Sequence, residues 1–260
     1  MAQNLTLGRG ELWFGQFRPG TLIARGERYL GNSPELAATI ETETLDHFDS
    51  DHGINEKDES IPLSTNRTGN FTTDNISPEN VALFFFGESF AFTVTGGAVT
   101  GEEILLVEPG LTYQLGMTEA NPAGASLLSS TTLPVVKDLD TPATTYVAGT
   151  DYKVDLKLGR IEVLKGGGIP ADANLTVDYT VDPSTRERVI SKSDAISGAL
   201  RYIAFNPAGP QRDWYMPYVK ISPNGDYTLK GDTWQILPFS FEILKLPGRD
   251  AVYVDGRAYA

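Results

Sequence analysis

Both histidines of the chain, His47 and His52, lie in ETETLDHFDSDHGINEKDES, residues 41–60, among eight carboxylates. Imidazole and carboxylate groups ligate zinc and harder cations, and paired carboxylates serve as acid and base in glycoside hydrolysis. The spacing argues weakly for either chemistry. There is no HExxH, and the carboxylates miss the ligand positions of a calcium loop. Acid pairs can be drawn from Asp49, Asp51, Asp58 and Glu59, but any acidic loop offers them, and nothing in the stretch predicts a raised pKa. A solvated loop, or one that reaches a neighbouring molecule, accounts for the same residues.

Other chemistry finds little material. KGGGIP, residues 165–170, has the glycines of a phosphate cradle without the GK[ST] ending, and a hairpin turn is the expectation there. Cysteine is absent and no Gly-X-Ser-X-Gly elbow occurs, so thiolate nucleophiles, disulfides and hydrolase triads lose their ingredients. The sequence thus predicts a non-enzymatic protein with no cofactor and no metal. Trp214, Tyr215 and Tyr218 could form an aromatic platform for sugars, which keeps a β-rich carbohydrate-binding or adhesive module as the alternative; core packing is the plainer use of such rings. A formal charge of −13 opposes tight binding to phosphate backbones or anionic membranes. The opening MAQNLTLGRG has no secretory pattern, and VALFFF is too short to span a bilayer, so a soluble product made in the cytoplasm is expected.

The elements that must position these residues read as mainly β. Threonine and valine recur in short runs, with 26 glycines and 16 prolines between them. GELWFGQF predicts a first strand, and Ile40 and Thr42 alternate with Glu41 and Glu43 on the approach to the acidic loop. Beyond it, Ile61, Leu63 and Phe71 share one parity, expected to pack, while Ser64, Asn66, Thr68, Asn70 and Thr72 form a short, polar, uncharged face. SPENVALFFFGE predicts one short helix: Ser77 caps it, Pro78 takes the first position, Glu79 favours the positive end and Gly87 stops it, with Leu83, Phe84 and Phe86 facing a sheet. The strand rhythm from EILLV to ANLTVDYTV predicts an inserted β subdomain over residues 96–189, leaving 1–95 and 190–260 as a discontinuous core domain; NPAGASLLSST inside the insert reads as a mobile surface loop. Asn224-Gly225 predicts a type I′ hairpin between DWYMPYVKI and DYTLKG, Pro238 marks an edge, bulge or break in the last long strand, and the C-terminal stretch reads as an arm.

Two separated blocks carry a resemblance. Most of residues 10–87, including RTGNFTTDNISPEN, closely resembles the opening of tail tube (major tail) proteins of long-tailed bacteriophages, and RYIAFNPAGPQRDWYMPYVKISPNGDYTLKGDTWQILPFSFEIL is similar to the closing half of the same domain. GTDYKVDLKLGRIEVL and ANLTVDYTV resemble a segment of the longer members. The resemblance implies a β-sandwich or open barrel with one short flanking α-helix, a long inter-strand loop and the inserted β subdomain on the tube exterior. It further implies hexameric rings that stack into the conduit for DNA passage, in a virion tail assembled in the bacterial cytoplasm. Implied partners are other copies of the chain, tape measure, tail terminator and tail-tip proteins, and genomic DNA in transient, non-specific passage, with no membrane. The inter-ring loop then corresponds to Asp46, His47, Asp49, Asp51, His52, Asn55, Glu56, Lys57, Asp58 and Glu59, and the polar parity Ser64 to Thr72 becomes the expected lumen face. Six copies at −13 sum to a formal −78, so stacking needs apolar burial and cationic partners such as Arg25, Arg28, Lys57 and Arg67, and salt should assist it.

Overall fold

The computed structural model describes residues 5–51 and 53–257; it is mainly β, with one short helix among the described residues. In chain order the elements are β1 (Gly10–Gln16), β2 (Arg28–Tyr29), β3 (Leu36–Asp49), β4 (Glu56–Thr73), α1 (Pro78–Phe84), β5 (Glu88–Val94), β6 (Gly97–Val107), β7 (Thr112–Gln114), β8 (Val135–Asp138), β9 (Tyr152–Asp155), β10 (Arg160–Val163), β11 (Ala173–Val181), β12 (Ser184–Ile190), β13 (Ile196–Ala204), β14 (Arg212–Pro223), β15 (Leu237–Ile243) and β16 (Tyr253–Gly256). They divide into two compact units, Met1–Phe90 with Arg188–Ala260, and Ala91–Glu187. β5 and β12 pair as a two-stranded ribbon where the chain crosses from one unit to the other.

The first unit is an antiparallel sheet in the order β2-β1-β13-β14-β15-β4-β3, with β16 also beside β14. Period-two alternation builds its core face: Leu237, Phe239, Phe241 and Ile243 are buried on β15, between Pro238, Ser240 and Glu242. Phe71 stacks on Phe239 with ring centroids 4.9 Å apart. On the neighbouring β4 a Cβ at Gly69 would lie 2.2 Å from the Phe241 ring, which is why glycine stands inside that strand. The helix forms as its sequence predicts at the start, where the Ser77 hydroxyl accepts from the Asn80 N–H at 3.3 Å and Pro78 opens the first turn. Leu83 and Phe84 join the core, and Phe84 meets Phe239 at 5.9 Å and Tyr227 at 5.8 Å. At its end Phe86, not Gly87, takes the left-handed backbone (φ 53°); Gly87 is needed because a Cβ there would lie 2.0 Å from the Ile190 carbonyl oxygen.

Several expectations change in the fold. Asn224-Gly225 does not close a two-residue hairpin. β14 pairs directly with β15, and the connection is the whole of residues 224–236, because DYTLKG does not alternate: Tyr227 packs on the core while Leu229 is exposed. Pro238 sits at the start of β15, where the missing N–H falls at the end of the ladder, and its carbonyl accepts from the Asn224 N–H at 3.0 Å. The C-terminal stretch is no free arm within the described residues, since β16 pairs with Arg212–Tyr215 of β14 and Arg257 donates to Asp213 at 2.8 and 3.0 Å.

The second unit folds on its own core, with the sheets β7-β10-β9 and β6-β11-β8 contributing Ile161, Val163, Leu175 and Val177. KGGGIP is not a hairpin turn; it joins β10 to β11, which belong to different sheets, and the Gly168 N–H donates to Asp151 at 2.7 Å. NPAGASLLSST is tied down: Leu128 is buried, and its N–H donates to the Leu156 carbonyl at 2.7 Å.

Candidate functional site

The acidic stretch is a strand pair rather than a loop. β3 and β4 run antiparallel from Leu36↔Phe71 to Asp49↔Glu56, leaving residues 50–55 as the connection. Asp46, His47 and Asp49 therefore sit on β3, Glu56, Lys57, Asp58 and Glu59 on β4, and Asp51 and Asn55 in the turn; His52 lies outside the described residues. Bulges between Glu43 and Thr44 and between His47 and Phe48 let the ladder continue despite the unequal lengths, which is how a charged segment reads as a loop and folds as a ribbon. Cross-strand polar pairs fasten it. Lys57 Nζ lies 2.7 Å from Asp46 Oδ1, the Ser60 hydroxyl donates to the same oxygen at 2.7 Å, and His47 Nδ1 lies 2.6 Å from Asp58 Oδ1. The hydrogen bond from Lys57, then that from Ser60, holds the Asp46 carboxyl below its usual range, and His47 does the same for Asp58. A depressed Asp58 is the opposite of a general acid. Among the described residues no three His, Cys, Asp or Glu side chains are grouped to hold a metal.

Beyond the sheet the ribbon stands alone. β15 pairs with β4 only from Leu237↔Thr73 to Glu242↔Thr68, so Glu56–Arg67 have no strand partner except β3. The other edge of β3 is unpaired along all 14 residues of the strand, among the described residues. Ile40, Leu45, Phe48, Ile54, Ile61 and Leu63 are between 50% and 75% exposed. This corrects the expected packed parity: Ile61 and Leu63 have no sheet beneath them, and only Phe71 reaches the core. A two-stranded ribbon is marginal in water by itself, and a long open edge bearing apolar side chains is a template for another chain.

The polar parity lies on one face of the sheet. Ser64 and Asn66 stand opposite Glu43 and Glu41, and Thr68 and Asn70 stand between Thr39 and Ala37 on one side and Glu242 and Ser240 on the other; Thr72 faces Pro238. Cross-strand neighbours thus make acidic a face that one strand alone presents as uncharged. Of the cations named for stacking, Arg28 is turned inward and donates to Asn80 Oδ1 at 2.7 Å, its pKa lowered by burial, while Lys57 is held by its own Asp46. The three aromatics of the sugar platform do not share a surface: Trp214 lines a cavity, Tyr215 lies on the opposite face under Arg201 at 4.4 Å, and Tyr218 meets Phe17 at a tilt, ring centroids 5.5 Å apart.

That cavity has no signal in any local stretch of sequence. β15 stops at Ile243, and β16 continues beside β14 without pairing β4, so a gap opens in the core face. The resulting mouth, 960 Å³, has Met216, Phe241 and Ile243 on one side and Ile40 and Arg67 of the ribbon base on another. It arises from strand lengths, which the sequence states only through where alternation lapses.

Residues 5–252, nearly the whole chain, match the sequence profile of a family described as "Protein of unknown function UCP028589". No curated protein matches the chain.

Proposed function

We propose that this chain, which belongs to that family, is a structural protein that assembles with copies of itself, and that it builds the tail tube of a long-tailed phage. The observation that carries the self-assembly reading is the bare ribbon: an open 14-residue edge with apolar side chains on a strand pair that has left its own sheet. Head-to-tail use of such an edge propagates into rings and stacks where an isologous contact would stop at a dimer. The resemblance of residues 10–87 and 201–244 supplies the tube, and the ribbon, Asp46 to Glu59, is the element that reaches the next ring.

The face bearing Ser64, Asn66, Thr68 and Asn70 with Glu41, Glu43 and Glu242 suits a conduit. A basic wall would release counterions and retain DNA, whereas short polar and acidic groups let it pass. In this reading the chain has no catalytic role, works in the virion tail, and meets the tape measure, terminator and tip proteins at the ends of the tube. Sedimentation velocity over rising protein concentration, with and without added salt, tests the reading. Large species that grow with concentration and are favoured by salt support it. A monomer at every condition that is also retained on a glycan column contradicts it.

A further inference from the structure

The mouth of the sheet and the loop between β14 and β15 lie at opposite ends of the same strands. β15 begins at Leu237 beside the loop and ends at Ile243 in the mouth, about 20 Å away at the usual rise per residue. The loop, residues 224–236, carries Trp234 at 93% exposure. It is anchored: Tyr227 packs on Phe84 of the helix and donates to Gln235, the neighbour of Trp234, at 3.0 Å. An indole held bare on an anchored loop is the kind of residue that dominates interfaces when a pocket receives it.

The receiving pocket is in the same unit. The mouth presents Trp214, Met216, Phe241 and Ile243, and Arg67 at its margin has no side-chain partner among the described residues. The loop brings Asp232 two positions before Trp234. The ribbon's own tip cannot serve, since β4 parts from β15 at Thr68↔Glu242 and leads away from the mouth on the same side. We propose that Trp234 of one copy inserts into the mouth of a second copy, with Asp232 against Arg67 and the second copy's ribbon rising alongside. An apolar knob and a pocket at opposite ends of the same strands make a heterologous contact that repeats without closing. The proposal rests on the self-assembly reading and names its receiving surface.

The chain has no cysteine, so Thr65→Cys in the ribbon and Lys230→Cys in the loop, both exposed and outside the proposed contact pairs, can be joined by a short bismaleimide without background. In one copy Thr65 lies eight residues along β4 from Thr73, the partner of Leu237 where the loop ends, about 26 Å at the usual rise per residue, so a short linker joins copies rather than positions within one copy. The double variant, cross-linked under assembling conditions, is expected to give a ladder beyond the dimer, where either single variant stops at a dimer. Trp234→Ala should raise the concentration at which large species appear by at least tenfold, with no change in Tm, because the side chain touches little in the monomer. Assembly of Trp234→Ala at the wild-type threshold, with no ladder from the double variant, overturns the proposal and leaves self-assembly standing. A wild-type protein that stays monomeric overturns both.

Discussion

Asn80→Ala removes the residue that fastens the helix to the sheet edge. Asn80 is fully buried on the first turn of α1. Its Nδ2 donates to the carbonyls of Leu30 and Asn75, each at 2.8 Å, and its Oδ1 accepts from the Arg28 guanidinium at 2.7 Å. After truncation the Leu30 carbonyl keeps the Thr73 hydroxyl at 3.0 Å, but the Asn75 carbonyl loses its side-chain donor and Arg28 its neutral acceptor, in a place where burial already disfavours the charge. An orphaned buried acceptor costs about 1–3 kcal/mol and a lost bond to a charged group about 1.5–3 kcal/mol, so a loss of roughly 3–5 kcal/mol is expected. Urea unfolding followed by tryptophan fluorescence measures it. Trp13, Trp214 and Trp234 all lie in the first unit, so the signal reports that unit alone. The midpoint should fall with an unchanged slope. Asn80→Asp, which retains the acceptor and loses both donations, should fall between. A loss under about 1 kcal/mol for Asn80→Ala refutes the view that this side chain carries the joint.

Ser77→Ala should destabilise by about 1 kcal/mol in the same assay, through loss of the helix cap. Gly69→Ala forces a methyl into the Phe241 ring and the Ala37 carbonyl, and about 1–3 kcal/mol or more is expected, read as a fall in Tm. Shortening residues 47–58 should leave the monomer's Tm unchanged and abolish large species in sedimentation; tubes of normal length from that variant would sink the assignment of the ribbon. The Arg257 hydrogen bonds, with one from the Ala204 N–H, hold the Asp213 carboxyl below its usual range, so its contribution is present above the unfolded value of about 3.9 and is lost as the pH falls through the lower folded value. The difference in unfolding free energy between wild type and Asp213→Asn should therefore be constant from pH 7 to 5 and shrink below about pH 4.

Local signals suffice where one stretch determines the outcome. GELWFGQ alternates and forms β1, and Ser77-Pro78 starts the helix because cap and first turn lie within four residues. The rest depends on partners distant in the chain. The acidic stretch pairs as strands because Asp46 meets Lys57 and Ser60, and His47 meets Asp58, across a register no single segment reveals. Ile61 and Leu63 alternate as core residues do, yet β15 ends before it can cover them. Trp214 and Tyr215 are adjacent in sequence and for that reason point to opposite faces, which breaks up the aromatic platform. The mouth that receives Trp234 in the proposed contact exists only because β15 is shorter than β14 and β4.

The most direct test of self-assembly is negative-stain electron microscopy of the purified chain at micromolar and then much higher concentration, with and without salt. Rings and hollow tubes, more abundant with salt because screening relieves the repulsion of chains at −13 each, are the expected result. Isolated particles of monomer size at every concentration and salt condition contradict it.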